Sequence, residues 1–176
     1  MSARVTPRQG PARASAPVGG SANDAWAPAQ DRTLRMLDAA LATELISMLR
    51  CRRNHFAVDS VRTSSLGAAF LAHSAVAQSN ADAVAGRIVG LGGTPDFGPE
   101  GLAGRSHAQY VEATGVAAML RDSVGAERVA ARCYRTLIDL LGDEDSRTTR
   151  LLRSMVSSGT SFADELEASW LALQPL

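Results

Sequence analysis

Glu44 and Glu127 stand where acids are seldom placed, on apolar helical faces. Glu44 falls in the series Leu37, Leu41, Glu44, Met48, Cys51, and Glu127 in the series Leu120, Val124, Glu127, Ala131, Tyr134, both at the spacing of three and four that marks one side of a helix. A carboxylate buried there loses its hydration and must find a proton, hydrogen-bond donors or a cation. The favoured reading is that the pair shares a proton, or is hydrogen-bonded to Asn80, Tyr134 or water; metal ligation is the competing one. Of His55, His73 and His107, only His73 falls on an inner face, one turn before Ala77 and two before Asn80. A hydrogen-bonded core or surface histidine is the expected role. Cys51 and Cys133 lie in separate predicted helices with no CxxC spacing, so neither a zinc site nor a disulfide scaffold is indicated, and Cys51 reads as a small buried thiol.

The elements that would carry these residues follow from periodicity. Residues 1–30 are rich in Pro, Gly, Ala and Ser and carry Arg4, Arg8 and Arg13 before the first acid, Asp24; they read as a mobile, mildly basic tail. A first helix is predicted over 31–58. A second carries Leu66, Phe70, His73, Ala77, Ala81, Val84, Ile88 and Leu91, capped by Asp59 or Ser60 and stopped by Gly92 and Gly93. A third, with Leu120, Val124, Glu127, Ala131, Tyr134, Ile138 and Leu141, ends at Gly142. A fourth carries Leu151, Leu152, Met155, Phe162, Leu166 and Trp170. The segment from Gly92 to Gly115, broken by Pro95, Gly98, Pro99, Gly101 and Gly104, is too long for a tight turn and reads as a crossover. The fold class expected is all-α: one four-helix bundle over 31–172, with a long crossover between its second and third helices and a short C-terminal end at 173–176.

Three stretches, ATELISMLRCRRNHF, GRIVGLGGTPDFGPEGLAGRSHAQYVE and GAERVAARCYRTLIDLLGD, resemble bacterioferritin and Dps-like members of the ferritin-like superfamily, and the resemblance extends over essentially all of 35–170. It implies a ferritin-like bundle. In that family each half of the bundle supplies a Glu from its first helix and a Glu-x-x-His pair from its second, and these side chains hold two irons. Carboxylates bridge and balance the charge of iron, and imidazole completes each site while leaving positions open for oxygen. Carried onto this chain, the single glutamates fall on Glu44 and Glu127. The second-helix pair should precede an Ala-Asp, here Ala81-Asp82, which puts Ala77 and Asn80 at the ligand positions; the fourth-helix pair should precede Ala163-Asp164, which puts Gly159 and Phe162 there. Glu44 and Glu127 are thus residual metal-ligand positions, expected to be empty, and no catalytic residue is assigned. Where haem-binding bacterioferritins have an axial Met, this chain has Gln78, so haem is not supported. No cofactor bound within the subunit is expected, and iron enters only as cargo of a cage.

Composition sets the remaining bounds. The chain has 18 Lys+Arg, all of them Arg, against 18 Asp+Glu, so no net field draws it to nucleic acid or anionic lipid. Arg128, Arg132, Arg135, Arg147, Arg150 and Arg153 alternate with acids, as solvated faces or subunit contacts do. No apolar run suits a membrane span and the N-terminus lacks the core of a signal peptide, so a cytoplasmic protein is expected. The function expected is that of a ferritin-like cage subunit linked to iron storage and homeostasis, lacking its own ferroxidase activity, since four of the six ligand positions are lost, and acting structurally; whether it is an enzyme of another kind is left open. It would self-associate, alone or with a catalytically active paralogue. With only Leu171–Leu176 after Trp170 there is no room for a fifth helix, which leans towards a Dps-like dodecamer or another small assembly. The alternative is a Dps-like DNA-binding particle for protection against oxidative stress, tethered weakly by the arginines of the tail. Iron bound at a Dps-type subunit interface is a third reading, for which no His and carboxylate set at the Dps spacing is found.

Overall fold

A computed structural model of the chain describes residues 22–58, 64–142 and 145–172, with side chains from Gln30 onward except that of Ser64. The helices are α1 Ala22–Ala57, α2 Ser64–Gly90, α3 Leu102–Arg105, α4 Val116–Leu141 and α5 Ser146–Ala172, and no strand occurs among the described residues. α1 packs along α2 and α4 along α5, giving two hairpins. The hairpins then meet with α1 against α4 and α2 against α5.

Chain direction explains the long connection. Residues rise along α1 as they fall along α4, since Glu44 meets Tyr134, Arg50 meets Glu127 and Asn54 meets Ser123. With α1 and α2 antiparallel, α4 runs the same way as α2. The chain must therefore travel back over the length of a 27-residue helix, roughly 40 Å, before α4 can start. The crossover does so along α1: Gln30 donates to the Leu91 carbonyl at 2.6 Å, the His107 amide donates to Thr43 Oγ1 at 2.9 Å, and Arg53 donates to the Ala113 carbonyl at 3.1 Å. At its start the backbone presses so close to α1 that a Cβ on Gly93 would lie 2.7 Å from Leu34 Cδ2.

The helix ends are written in local chemistry. Gly142, at φ 53°, turns the chain out of α4 while its amide donates to the Ile138 carbonyl at 3.1 Å. Asp145 caps α5 by accepting from the Thr148 amide at 3.0 Å. Arg87 ties the end of α2 to that cap, with Nη2 2.7 Å from Asp145 Oδ2 and Nε 2.6 Å from Thr148 Oγ1. Burial resists ionisation of Asp145, but bonds from Thr148 and Arg87 outweigh it and hold the carboxyl below its usual range.

One boundary and one element differ from the sequence reading. α1 begins at Ala22, not at 31, so residues 22–30 assigned to the tail are helical. This stretch lacks the apolar periodicity that would have marked it, but it is rich in alanine, the best helix former, and it extends a helix already nucleated downstream. The short helix α3 inside the crossover was also not expected. The rest of the tail, the proposed cap at Asp59 or Ser60, and residues 173–176 lie outside the described residues. Among those described, no helix is long and apolar enough to cross a membrane.

The core divides into two apolar clusters. One gathers Leu37, Leu41, Val84, Ile88, Tyr134, Leu137, Leu152 and Met155; the other gathers Cys51, Leu66, Phe70, Leu120, Val124, Phe162 and Leu166. Between them lies a layer of buried polar side chains from α1, α2 and α4, faced by a glycine of α5.

Candidate functional site

The layer is assembled from Glu44, Ser47 and Arg50 on α1, His73 and Asn80 on α2, Glu127 and Tyr134 on α4, and Gly159 on α5. Successive inward turns of α1 deliver its three residues. Glu44 and Glu127 are each 7% exposed and Arg50 only 2%.

Each carboxylate has its own donors. Glu44 Oε1 accepts from the Tyr134 hydroxyl at 2.7 Å, and Oε2 accepts from Asn80 Nδ2 at 3.0 Å. Glu127 Oε1 accepts from Ser47 Oγ at 2.8 Å and from Arg50 Nη2 at 3.1 Å, while Oε2 lies 3.5 Å from His73 Nε2. Among the described residues no hydrogen bond joins the two carboxylates, so the shared proton contemplated from the sequence is replaced by separate partners. Tyr134 and Asn80 are the donors anticipated for this pair, and both serve Glu44.

The two acids differ in charge because their neighbours differ. Burial, reinforced by the nearby Glu127, lifts the Glu44 carboxyl from 4.5 to about 7, against the pull of Tyr134, Asn80 and His73. Burial also resists ionisation of Glu127, but His73, the Arg50 guanidinium and the Ser47 hydroxyl outweigh it and hold that carboxyl below its ordinary value. Burial together with Glu44 raises the Tyr134 phenol well above its usual range, so it remains a donor. Cys51 is fully buried and its thiol is pushed up to about 12 by burial first, which leaves it inert at neutral pH.

The positions that carry ligands in the resemblance are now visible. Ala77 is fully buried and apolar, and Asn80 brings only a neutral amide, whose Nδ2 donates to Glu44. Gly159 has no side chain, and Glu127 leans into the space this leaves: a Cβ there would sit 3.0 Å from Glu127 Oε2. Phe162 stacks flat on His73, ring centroids 3.7 Å apart and planes at 9°. The free space among Glu44, His73, Asn80, Glu127, Tyr134 and Gly159 is about 10 Å³, room for a single water. Two carboxylates and one imidazole, with one carboxylate held by a guanidinium, do not fit a pair of irons. Among the described residues no three His, Cys, Asp or Glu side chains converge on one metal position.

A family model, described as the ferritin-like domain, matches residues 34–170. The chain belongs to the ferritin-like family. No curated protein matches it in sequence. Its fold is similar to that of the dodecameric thioferritin, a bacterioferritin-related protein, of Bacteroides fragilis: TM-score 0.77, 19% identity, over 81% of this chain and 86% of that one. It is also similar to Dps of Thermosynechococcus elongatus, at TM-score 0.79 and 14% identity over 86% and 96% of the two chains. A Dps homologue of Halobacterium salinarum aligns at TM-score 0.76 and 24% identity over 92% and 93%. At these identities the likeness is one of fold.

Ser47 and Arg50 are members of this ferritin-like centre that the sequence reading passed over. Their signal was positional: both lie between Glu44 and Cys51, at three and six residues after the glutamate. His73 was placed on the inner face, but its place beside Glu127 was not foreseen. His55 and His107 stand outside the layer. His55 Nδ1 meets the Gly67 carbonyl at 2.8 Å, and the His107 imidazole, its pKa lowered by burial, packs edge-on to Tyr134. Arg128, Arg132, Arg135, Arg147, Arg150 and Arg153 are all exposed, Arg128 pairing with Glu167 at 2.6 Å.

Proposed function

We propose that this chain is a shell-building subunit of the ferritin-like family, linked to iron storage, whose bundle centre serves packing and does not oxidise iron. The observation that carries this is the engagement of Glu44 and Glu127 by protein donors, around a space of about 10 Å³ that has room for a single water and not for two irons. Iron is then cargo handled by the assembled shell or by an active paralogue that shares it. Haem is not part of the proposal, since Gln78, at the axial position of haem-binding relatives, is an exposed glutamine of α2.

Support for assembly comes from two sides. The Bacteroides fragilis relative is a dodecamer. In this chain, large apolar side chains stand in water, with Phe56 75%, Val89 60%, Leu140 52% and Phe97 51% exposed, as expected of surfaces that pack against neighbours. Arg4, Arg8 and Arg13, on which the DNA-binding alternative rests, lie outside the described residues, and no described feature favours that reading.

Native mass spectrometry with metal analysis, on protein purified from its source, tests the proposal by reporting stoichiometry, partner subunits and iron together. A multimer is expected, and the chain alone should oxidise Fe(II) no faster than buffer. Rapid oxidation of two Fe(II) per chain by the isolated subunit would refute it. Gel retardation of DNA with and without residues 1–21, at low and physiological salt, tests the alternative.

A further inference from the structure

The seam between α4 and α5 carries a charged patch on the outside of the bundle, apart from the polar layer. Arg128, Arg132 and Arg135 are exposed and follow one another at spacings of four and three, so they share one stripe of α4. Like charges at that spacing destabilise a helix unless a charge of opposite sign faces them. Arg128 has such a partner, Glu167 of α5 at 2.6 Å. Among the described residues the guanidiniums of Arg132 and Arg135 have no hydrogen-bond or ion-pair partner.

Both arginines line a hollow of about 310 Å³ in the seam, at the lower end of the size of small-ligand pockets. Ala131 and Ala163 give it apolar walls, and Thr160 of α5 adds a hydroxyl. The other charges that face it are Arg128, Asp164 and, beneath, the buried Glu127. Arg128 is matched by Glu167, and Glu127 by Arg50 at 3.1 Å. Two guanidiniums therefore stand against the single carboxylate of Asp164, which pairs with neither. Concave walls of low dielectric concentrate the resulting positive field in the hollow.

We infer that the α4–α5 hollow binds a phosphoryl group, free or esterified, held by the forks of Arg132 and Arg135 with the Thr160 hydroxyl as a further donor. A carboxylate has two oxygens and one charge, enough for one fork. A phosphoryl dianion has three or four oxygens and matches two forks in both geometry and charge. Acids bound the patch along the seam: Asp139 comes next on the stripe of α4, and Glu167 stands at the other end. The site therefore suits one phosphoryl group and not the continuous track of charge that a polymer backbone would follow. It is independent of the proposed function, which is judged by Fe(II) oxidation and assembly.

Equilibrium dialysis of the full-length assembled protein against radiolabelled inorganic phosphate, at low salt, tests the site. Wild type is expected to bind one phosphate per chain. Arg132→Gln/Arg135→Gln should weaken binding at least about tenfold, and Thr160→Val about fivefold. Arg32→Gln/Arg52→Gln, which removes two exposed arginines elsewhere and changes net charge equally, should bind as wild type does. Absence of saturable binding in wild type would overturn the inference, and so would equal weakening by the two arginine pairs, which marks a diffuse field. Should Arg132→Gln/Arg135→Gln fail to assemble, Thr160→Val decides, an unchanged affinity overturning the site. Competition then names the source of the phosphoryl group. Displacement by phenyl phosphate at lower concentration than by unlabelled phosphate assigns the site to an ester, and the reverse order assigns it to the free ion; both support it. Acetate that displaces as well as phosphate does would overturn the phosphoryl assignment.

Discussion

Glu44→Gln should stabilise the protein in a pH-dependent way. In the folded chain burial and Glu127 place the Glu44 carboxyl at about 7, against 4.5 ordinarily. Between those values the native state holds a proton that the unfolded chain releases. The stability associated with it is complete below pH 4.5 and is lost as pH rises to 7. At about 1.4 kcal/mol per pH unit, that interval amounts to about 3 kcal/mol. Glutamine cannot ionise, still accepts from Tyr134, and can donate to Asn80 once that amide turns over. The variant should therefore equal wild type near pH 4.5, gain steadily, and lead by about 3 kcal/mol at pH 8. Glu127, whose carboxyl is held below its ordinary value, has the opposite trend, adding stability above pH 4.5 that is lost on acidification. It is present in both proteins and largely cancels in the difference. Urea unfolding at a fixed protein concentration from pH 4.5 to 8.5 measures the gap. A difference that stays constant across that range, or a variant less stable than wild type at pH 8, would refute the account of the layer.

Tyr134→Phe removes the donor to Glu44 Oε1 and should cost about 1 kcal/mol at pH 5, where the acid is neutral, and about 2 kcal/mol at pH 8, where it is charged, by the same urea titration. Asp145→Ala deletes the cap of α5 and its tie to Arg87, at a cost of about 1–2 kcal/mol near neutrality. Because the Asp145 carboxyl is held below its ordinary 3.8, that contribution is present above pH 3.8 and lost on acidification, so the gap to wild type should close in acid. Gly125→Ala, in mid α4 with open space at its Cβ, should raise stability by about 0.5–1 kcal/mol, whereas Gly142→Ala, forced to φ 53°, should lower it by about 1 kcal/mol; differential scanning calorimetry separates the two.

Most of the frame could be read from the sequence because it rests on local signals. The three-and-four spacing from Leu37 to Cys51 and from Leu120 to Tyr134 marks buried faces, Gly142 marks an end, and the Pro and Gly of 92–115 mark a crossover. Ala22–Gln30 escaped because an alanine-rich helix start has no apolar stripe to betray it. Within the centre, Glu44, Glu127, Asn80 and Tyr134 were legible as acids and donors on inward faces. Arg50 was not, because it sits next to Arg52 and Arg53 and reads as one of a solvated run; only α4, arriving with Glu127 from 77 residues away, gives it a partner. Which acid each donor would serve likewise depends on the register between hairpins, and no local pattern encodes that.

The reach of those contacts along the chain has a kinetic consequence. Each hairpin can form from neighbours in sequence, but the bonds that cross between them, Tyr134 to Glu44 and Arg50 to Glu127, join residues 90 and 77 positions apart. Such bonds close large loops and cannot reward the chain until both hairpins have docked in register. They belong late on the folding route, beyond the transition state. Substitutions in the polar layer should then leave the folding rate almost untouched and act on the rate of unfolding. The centre would act as a latch that sets how long a folded subunit keeps its shape.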